Sequence, residues 1–268
     1  MLKSILAASD LSSRATQAMR RAALLAQDAA ASLCCLHVVE DDLLEERMRD
    51  AVETARAALS SQARSAGVPA DSQLAVVTGH AFHAIGEEAL AREADVIVLG
   101  AHRRRFLRDV FVGTTVERVT RSAGRPVLMV NAPPAGRWRR IVIATDMSET
   151  SARAARLAKA FGFLEGAQVS FVHCHAPVTR QMMIYAGVPV ERVHEEAERE
   201  FQAKRRELAA FLGGVDLGDI DGEAHIVEGV GADALVGFVE RSSADLLVIG
   251  TRGLSGAKRL FLGSVAQE

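Results

Sequence analysis

Cysteine, proline and tryptophan are scarce in this chain, neither sign of charge dominates, and no long apolar run occurs. Each shortage excludes something. The three cysteines, Cys34, Cys35 and Cys174, all sit in short apolar runs, with no C-x-x-C pair and no metal-ligand spacing. They read as reduced thiols packed like small apolar side chains, which suits a cytoplasmic protein. No stretch approaches the roughly 18 apolar residues needed to span a bilayer. The opening MLKSILAASDLSS has one lysine, and its apolar run is too short and too interrupted for a signal-peptide core. A cytoplasmic location without a membrane partner is therefore expected. The formal net charge of −2 gives no basic field for nucleic acid and no polyacidic tail. The G-x-S-x-G elbow, the G-x-x-x-x-G-K-[ST] P-loop and the H-E-x-x-H helix are all missing.

What is present is a globular composition, 49% apolar and 25% charged, in 268 residues, enough for two domains of ordinary size. The chain repeats itself. Lys3–Asp10 recurs as Arg140–Asp146, with Asp10 matching Asp146, and Leu36-His37-Val38 recurs as Val172-His173-Cys174 at the same offset of 136. Val77-Thr78-Gly79 then matches Val227-Glu228-Gly229, and Ala94–Gly100 matches Ala244–Gly250, at an offset of 150. About fourteen residues have been added in the second half, and Pro177–Val190 is the expected place. A period this long means duplicated domains, since solenoid repeats are far shorter. The prolines and glycine around the join read as a linker. The expected division is 1–132 for the first domain, 133–137 for the linker and 138–268 for the second. Trp138, the only tryptophan, reads as a packing residue beside the join.

Short apolar runs alternate with longer amphipathic segments. Strands are expected at Ser4–Ala8, Ser32–Val39, Gln73–Val77, Val96–Leu99 and Pro126–Val130, with helices near 13–30, 43–66, 82–93 and 114–122. Such alternation implies a parallel sheet covered on both faces. Ligands in such folds bind at the carboxyl ends of strands, where the strand order reverses. Asp10, Gly100, Asp146 and Gly250 all fall at such ends.

Gly250, Gly253, Gly263 and Ser264 form a G-x-x-G-x9-G-S pattern directly after the apolar run Leu246–Ile249. A glycine-rich turn between a buried strand and a helix can cradle a phosphate, because glycine admits close backbone approach and φ > 0. The earlier copy, Gly100, Arg103, Gly113 and Thr114, has arginine in place of the second glycine. Arginine at φ > 0 is unfavourable, so ordinary nucleotide binding is expected to fail there. Arg103-Arg104-Arg105 with Arg108 either grips phosphates by charge or forms a solvated face. Asp10 and Asp146 read equally as helix N-caps and as ligand contacts. His173 and His175 share a strand face but lack a third ligand at suitable spacing, so no metal is expected. His80 and His83 flank a helix start and read as exposed or capping. The second half ends five residues past Gly263, which leaves at most one turn of its last helix and no fifth strand.

Four of these landmarks occur in order, and occur twice: the strand ending in Asp10 or Asp146, the His37-Val38 or His173-Cys174 strand, the A-D-hydrophobic-G strand, and the glycine loop. Through them the chain resembles a tandem universal stress protein, with two UspA-type domains in one polypeptide. The resemblance implies an α/β fold of two tandem five-stranded parallel-sheet domains of the adenine-nucleotide α-hydrolase-like (Rossmann-like) type, the second lacking its last helix and fifth strand. It implies ATP binding where the glycine pattern is complete, with Mg²⁺ as a companion ion, and roles in stress survival and signalling without a defining reaction. By position, Ala144, Thr145, Asp146, Cys174, Gly250, Arg252, Gly253, Gly263, Ser264 and Val265 would hold the nucleotide in the second domain. A possible second site would use Ala8, Asp10, Val38, Gly100, Arg103, Gly113 and Thr114. Fifth-strand dimers in the family imply an intramolecular pseudo-dimer here and a possible homodimer. Two other functions stay open, a weak ATPase or phosphotransfer protein and an interaction scaffold without nucleotide.

Overall fold

The computed structural model describes residues 1–41, 45–101, 118–120, 123–229 and 231–250. The chain divides into two compact units, Met1–Gly136 and Arg137–Glu268.

In the first unit the chain runs β1 (Ser4–Ser9), α1 (Ser13–Ala29), β2 (Ser32–Val39), α2 (Glu45–Ala66), β3 (Gln73–Thr78), α3 (Ala81–Ala91), β4 (Val96–Gly100) and β5 (Val127–Val130). All five strands are parallel, in the order β3-β2-β1-β4-β5. The order reverses between β1 and β4, so a crevice opens at the carboxyl ends of these two neighbours. The second unit repeats the plan with β6 (Arg140–Ala144), α4 (Glu149–Ala160), β7 (Gln168–His175), α5 (Val178–Tyr185), α6 (Val190–Gly214), β8 (Gly222–Glu228), α7 (Gly231–Ser242) and β9 (Leu246–Ile249). Its parallel order is β8-β7-β6-β9 among the described residues, with the corresponding crevice between β6 and β9.

The apolar strands explain the layering. Leu6, Ala7, Ile97 and Val98 are shut off from solvent, as a central parallel strand covered on both faces requires. Small residues bring the covering helices close: α1 buries Ala15, Ala18, Ala22 and Ala26, and α4 buries Ala152, Ala155 and Ala158. Leu59 on α2 and Leu208 on α6 are both fully buried, one in each unit. β4, held between β1 and β5, has four buried residues, whereas β9, paired with β6 alone among the described residues, is half-buried throughout.

The expected strands lie within a residue of those observed. β5 starts one residue later than expected, at Val127, since Pro126 has no N–H for the ladder. Its carbonyl still accepts from Ile97 N–H at 2.9 Å. Of the helix expected near 114–122, only 118–120 lies within the described residues, and it is helical. The added residues of the second half form α5, a helix with no counterpart among the described residues of the first unit. Trp138 is buried and packs edge-on against Phe163, with ring centroids 4.7 Å apart.

The repeated Ala-Asp before β4 and β9 has a structural purpose at the opposite end of the sheet from the crevice. Asp95 Oδ2 accepts from the N–H groups of Lys3 and Ser4 at 2.7 and 3.0 Å. Asp245 accepts from Arg139 and Arg140 at 2.8 and 3.1 Å. Each aspartate thus ties the start of the first strand of its unit to the start of the fourth. Asp245→Ala should lower the stability of the second unit by about 1–2 kcal/mol, the range for exposed bonds to a charged acceptor. Hydrogen exchange on β6 and β9 would measure it; unchanged protection there would rule the tie out.

Candidate functional site

Both units build the same loop after their first strand. In the first, Ser9-Asp10-Leu11-Ser12 leads into α1, and Ser12 is the N-cap, its Oγ accepting from Ala15 N–H at 3.2 Å. In the second, Thr145-Asp146-Met147-Ser148 leads into α4, and Ser148 caps it by accepting from Ser151 N–H at 3.3 Å. The aspartates are not the caps. Their Oδ1 atoms accept from the N–H of the capping serine, at 2.9 Å for Asp10 and 3.1 Å for Asp146. This is an Asx turn, which aims the chain into the helix.

Between aspartate and serine the backbone is left-handed, with φ 63° at Leu11 and 61° at Met147. Neither residue suits that region, so something must hold it. Part of the hold is the hydroxyl one residue before each aspartate: Ser9 Oγ accepts from Leu11 N–H and Thr145 Oγ1 from Met147 N–H, both at 2.9 Å. The other part comes from the second strand. His37 Nδ1 lies 2.8 Å from Ser9 O, and His173 Nδ1 lies 2.8 Å from Thr145 O. A carbonyl can only accept, so each Nδ1 carries a proton and donates it to the loop. In sequence these histidines were repeat landmarks without a role; here they clamp the loop to the sheet.

The units differ in what lies behind the loop. In the first, Gln62 of α2 accepts from Ser9 Oγ at 2.6 Å and donates to Ser12 O at 2.9 Å and to Thr16 Oγ1 at 3.0 Å. In the second, Thr145 Oγ1 lies 2.8 Å from Ser151 Oγ, which donates to Ser148 O at 2.8 Å. Thr145, Ser148 and Ser151 are buried, and Asp146 is half-buried where Asp10 is exposed.

Other sequence-predicted residues gather at the same strand ends. Ala8 and Val38 pack in one apolar cluster with Leu36 and Ile85, and Ala144 and Cys174 in the matching cluster with Val172 and Leu235. Burial pushes the Cys174 thiol up, and burial together with Cys34 pushes Cys35 up to about 12, so these sulfurs stay protonated and act as apolar packing. Gly100 and Gly250 end β4 and stand past β9, and neither has a positive φ. What requires glycine there is the helix. A Cβ on Gly100 would lie 2.9 Å from Ala15 N, and one on Gly250 would lie 3.1 Å from Ser151 N. Arg103, Gly113, Thr114, Arg252, Gly253, Gly263, Ser264 and Val265 lie outside the described residues.

The geometry constrains the chemistry. The N–H groups of Leu11, Ser12 and Ala15, and of Met147, Ser148 and Ser151, are all satisfied by the loop's own side chains. These N–H groups are therefore committed within the loops, which brace the crevice wall in each unit.

The other histidines of the sequence reading stand in different settings. His173 and His175 stack with centroids 6.4 Å apart and planes 18° apart. His80 occupies the N-cap position of α3 without a side-chain capping bond. The cap is supplied instead by Glu40, whose Oε1 accepts from Ala81 N–H at 3.4 Å, with His80 Nδ1 3.4 Å from Oε2. Glu40, Asp41 and His80 converge there but are all exposed.

The molecule is thus a doubly wound parallel α/β protein in which one domain plan occurs twice, each copy with a fixed loop at its strand-order reversal. The sequence profile of the Universal stress protein family matches residues 1–131 and again 137–268. The chain belongs to the universal stress protein family. A universal stress protein of Thermus aquaticus is 35% identical over 131 residues, covering 49% of this chain and 90% of its own length. One from Methanocaldococcus jannaschii is 31% identical over 137 residues, covering 49% of this chain and 75% of its own. The crystal structure of a universal stress protein from Archaeoglobus fulgidus superposes with a TM-score of 0.67 at 18% identity, covering 98% of this chain and 92% of that one. At that identity the superposition establishes the shared fold.

Proposed function

We propose that this universal stress protein binds adenine nucleotide, ATP foremost, mainly in its second domain, and acts as a stress-response sensor or regulator rather than an enzyme. The observation that carries the reading is the crevice between β6 and β9. One wall is the clamped Thr145–Ser148 loop with a half-buried carboxylate at Asp146, and the other begins at Gly250. The sequence after Gly250 is the glycine-rich run that carries Gly253, Gly263 and Ser264. In this division of labour the clamped loop and the Ala144–Cys174 surface receive the base, and the glycine-rich segment receives the phosphates, with Mg²⁺ accompanying them. The first domain, with Arg103 in its loop, is structural or recognises something else.

Native mass spectrometry of the purified protein, with equilibrium ATP binding, tests this. One nucleotide per chain is expected, and Gly263→Asp should weaken binding at least about tenfold, since one charged clash or lost charge-assisted bond is worth about 1.4 kcal/mol or more. No detectable affinity at millimolar ATP would leave a scaffold without nucleotide. Steady-state ATP turnover well above background, abolished by Gly253→Arg, would replace the sensor by an ATPase.

A further inference from the structure

Exposed apolar side chains are unevenly spread over the described residues. Met1, Leu74 and Leu90 stand singly in the first unit, but Met182, Ile184, Tyr185 and Val190 crowd together in the second, 69%, 56%, 83% and 63% exposed. Single exposed apolar side chains need no explanation, whereas a cluster marks an interaction site. These four lie on α5 and on the first residue of α6.

Backbone bonds build the segment that carries them. Eight residues of helix are marginal alone, and α5 packs against α6. Gly187, at φ 69°, closes α5: its N–H donates to Ile184 O at 3.1 Å, and Val188 N–H donates to Met183 O at 3.0 Å. α6 starts directly afterwards, with Val193 N–H on Pro189 O at 3.2 Å. The apolar side chains are thus presented on a formed helical hairpin.

We propose that this hairpin is the contact face between two copies of the chain, paired about a two-fold axis beside Tyr185.

The charges at its border choose the occupant. Glu191 and Arg192, next to Val190, are both exposed, and neither has an ion pair within the chain among the described residues. Further along α6, Arg199 is held by Glu195 and Glu196 at 3.7 and 2.9 Å. A two-fold axis brings residue i of one copy to j of the other, and j to i. Glu191 of each copy then meets Arg192 of the other, so one free acid beside one free base is self-complementary. The same border suits neither a strongly charged partner nor an anionic lipid surface, which Glu195, Glu196 and Glu198 would also repel. Tyrosine and methionine at the centre with charges at the rim is the usual layout of a protein interface. Four side chains fall short of the roughly 800 Å² per partner of a standard interface, so the pairing is weak and depends on concentration.

Sedimentation velocity of the full chain, from micromolar to millimolar, should show a monomer–dimer equilibrium. Tyr185→Asp should raise its dissociation constant at least about tenfold, with the thermal melt of the monomer unchanged. Arg192→Glu sets like charges face to face in two symmetry-related places and should weaken pairing about two- to tenfold, and adding Glu191→Arg should restore it. Tyr185 is the only tyrosine of the chain, so photo-oxidative dityrosine cross-linking can join two copies at that one place, and its yield should follow the dimer fraction. A wild type that stays monomeric would overturn the proposal, as would a dimer indifferent to both Tyr185→Asp and Arg192→Glu. So would a monomer that co-sediments with phosphatidylcholine vesicles through Tyr185, which would assign the patch to a membrane surface. The pairing needs no nucleotide, so its failure would leave the proposed ATP site untouched.

Discussion

Gly100→Ala should destabilise the first domain by about 1–3 kcal/mol, and Gly250→Ala the second domain by less. A Cβ on Gly100 would stand 2.9 Å from Ala15 N and Arg14 C and 3.0 Å from Arg14 O. All three are backbone atoms of the first turn of α1, so no side chain can rotate away and the helix itself must retreat. Overpacking of this kind costs about 1–3 kcal/mol. Alanine recovers about 0.4–1 kcal/mol by restricting the unfolded chain, because neither glycine needs a positive φ. At Gly250 the distances to Ser151 N, Ser151 Cα and Thr150 C are 3.1, 3.2 and 3.2 Å, so a shift of a few tenths of an ångström relieves most of the contact. The two penalties should therefore be ordered, with Gly100→Ala the larger. Hydrogen exchange on β1 and α1, against β6 and α4, reads the domains separately within one chain. A neutral or stabilising Gly100→Ala would show that α1 has room to yield.

These glycines also mark how far sequence reasoning reached. The repeat, the strands and the parallel sheet were legible because a buried parallel strand is a continuous apolar run, and because every landmark occurred twice in the same order. The change in offset bracketed the added residues between Cys174 and Val227, the span in which α5 lies. The reasons behind several landmarks were not. Gly100 and Gly250 looked like parts of a phosphate loop, and nothing in the sequence signalled that they also admit a helix backbone from more than eighty residues away in the chain. Asp95 and Asp245 looked like strand-start residues, and they proved to be ties to the first strand of their own units. The left-handed turns at Leu11 and Met147 had no local signal, since neither side chain favours that conformation and the stabilising partners are a hydroxyl and a distant histidine. Long-range hydrogen bonds such as Gln62 to Ser9 leave no periodicity in a sequence.

The duplicated loop also separates conserved architecture within the molecule from what each copy does with it. Both copies hold the strained turn by the same hydroxyl and histidine, so that part is the shared frame. Behind the frame, one copy uses a glutamine from α2 and the other a buried hydroxyl pair. The carboxylate is exposed in the first and half-buried in the second. A half-buried carboxylate interacts with a neighbour more strongly than an exposed one, since less water screens it. On this physical ground the second copy is the better place for an aspartate to contact a ligand.

Asp146→Asn isolates that contact. Asparagine keeps an Oδ1 acceptor for Ser148 N–H, so the Asx turn, the Ser148 cap and the left-handed Met147 should all survive. The stability of the second domain should fall by about 0.3–1 kcal/mol, the usual worth of a carboxylate near a helix N-terminus. The charge, however, is lost. If Asp146 accepts from the bound nucleotide, as the proposed site requires, a charge-assisted bond worth about 1.5–3 kcal/mol weakens, and ATP affinity should fall about 10- to 150-fold. Asp10→Asn, with the same turn but an exposed carboxylate in the domain whose loop carries Arg103, should leave affinity within about twofold. Isothermal titration of ATP into wild type and both variants, with a thermal melt of each, separates the possibilities. Equal affinity in all three proteins would remove Asp146 from the site, and a matching loss of stability in Asp146→Asn would make its role structural.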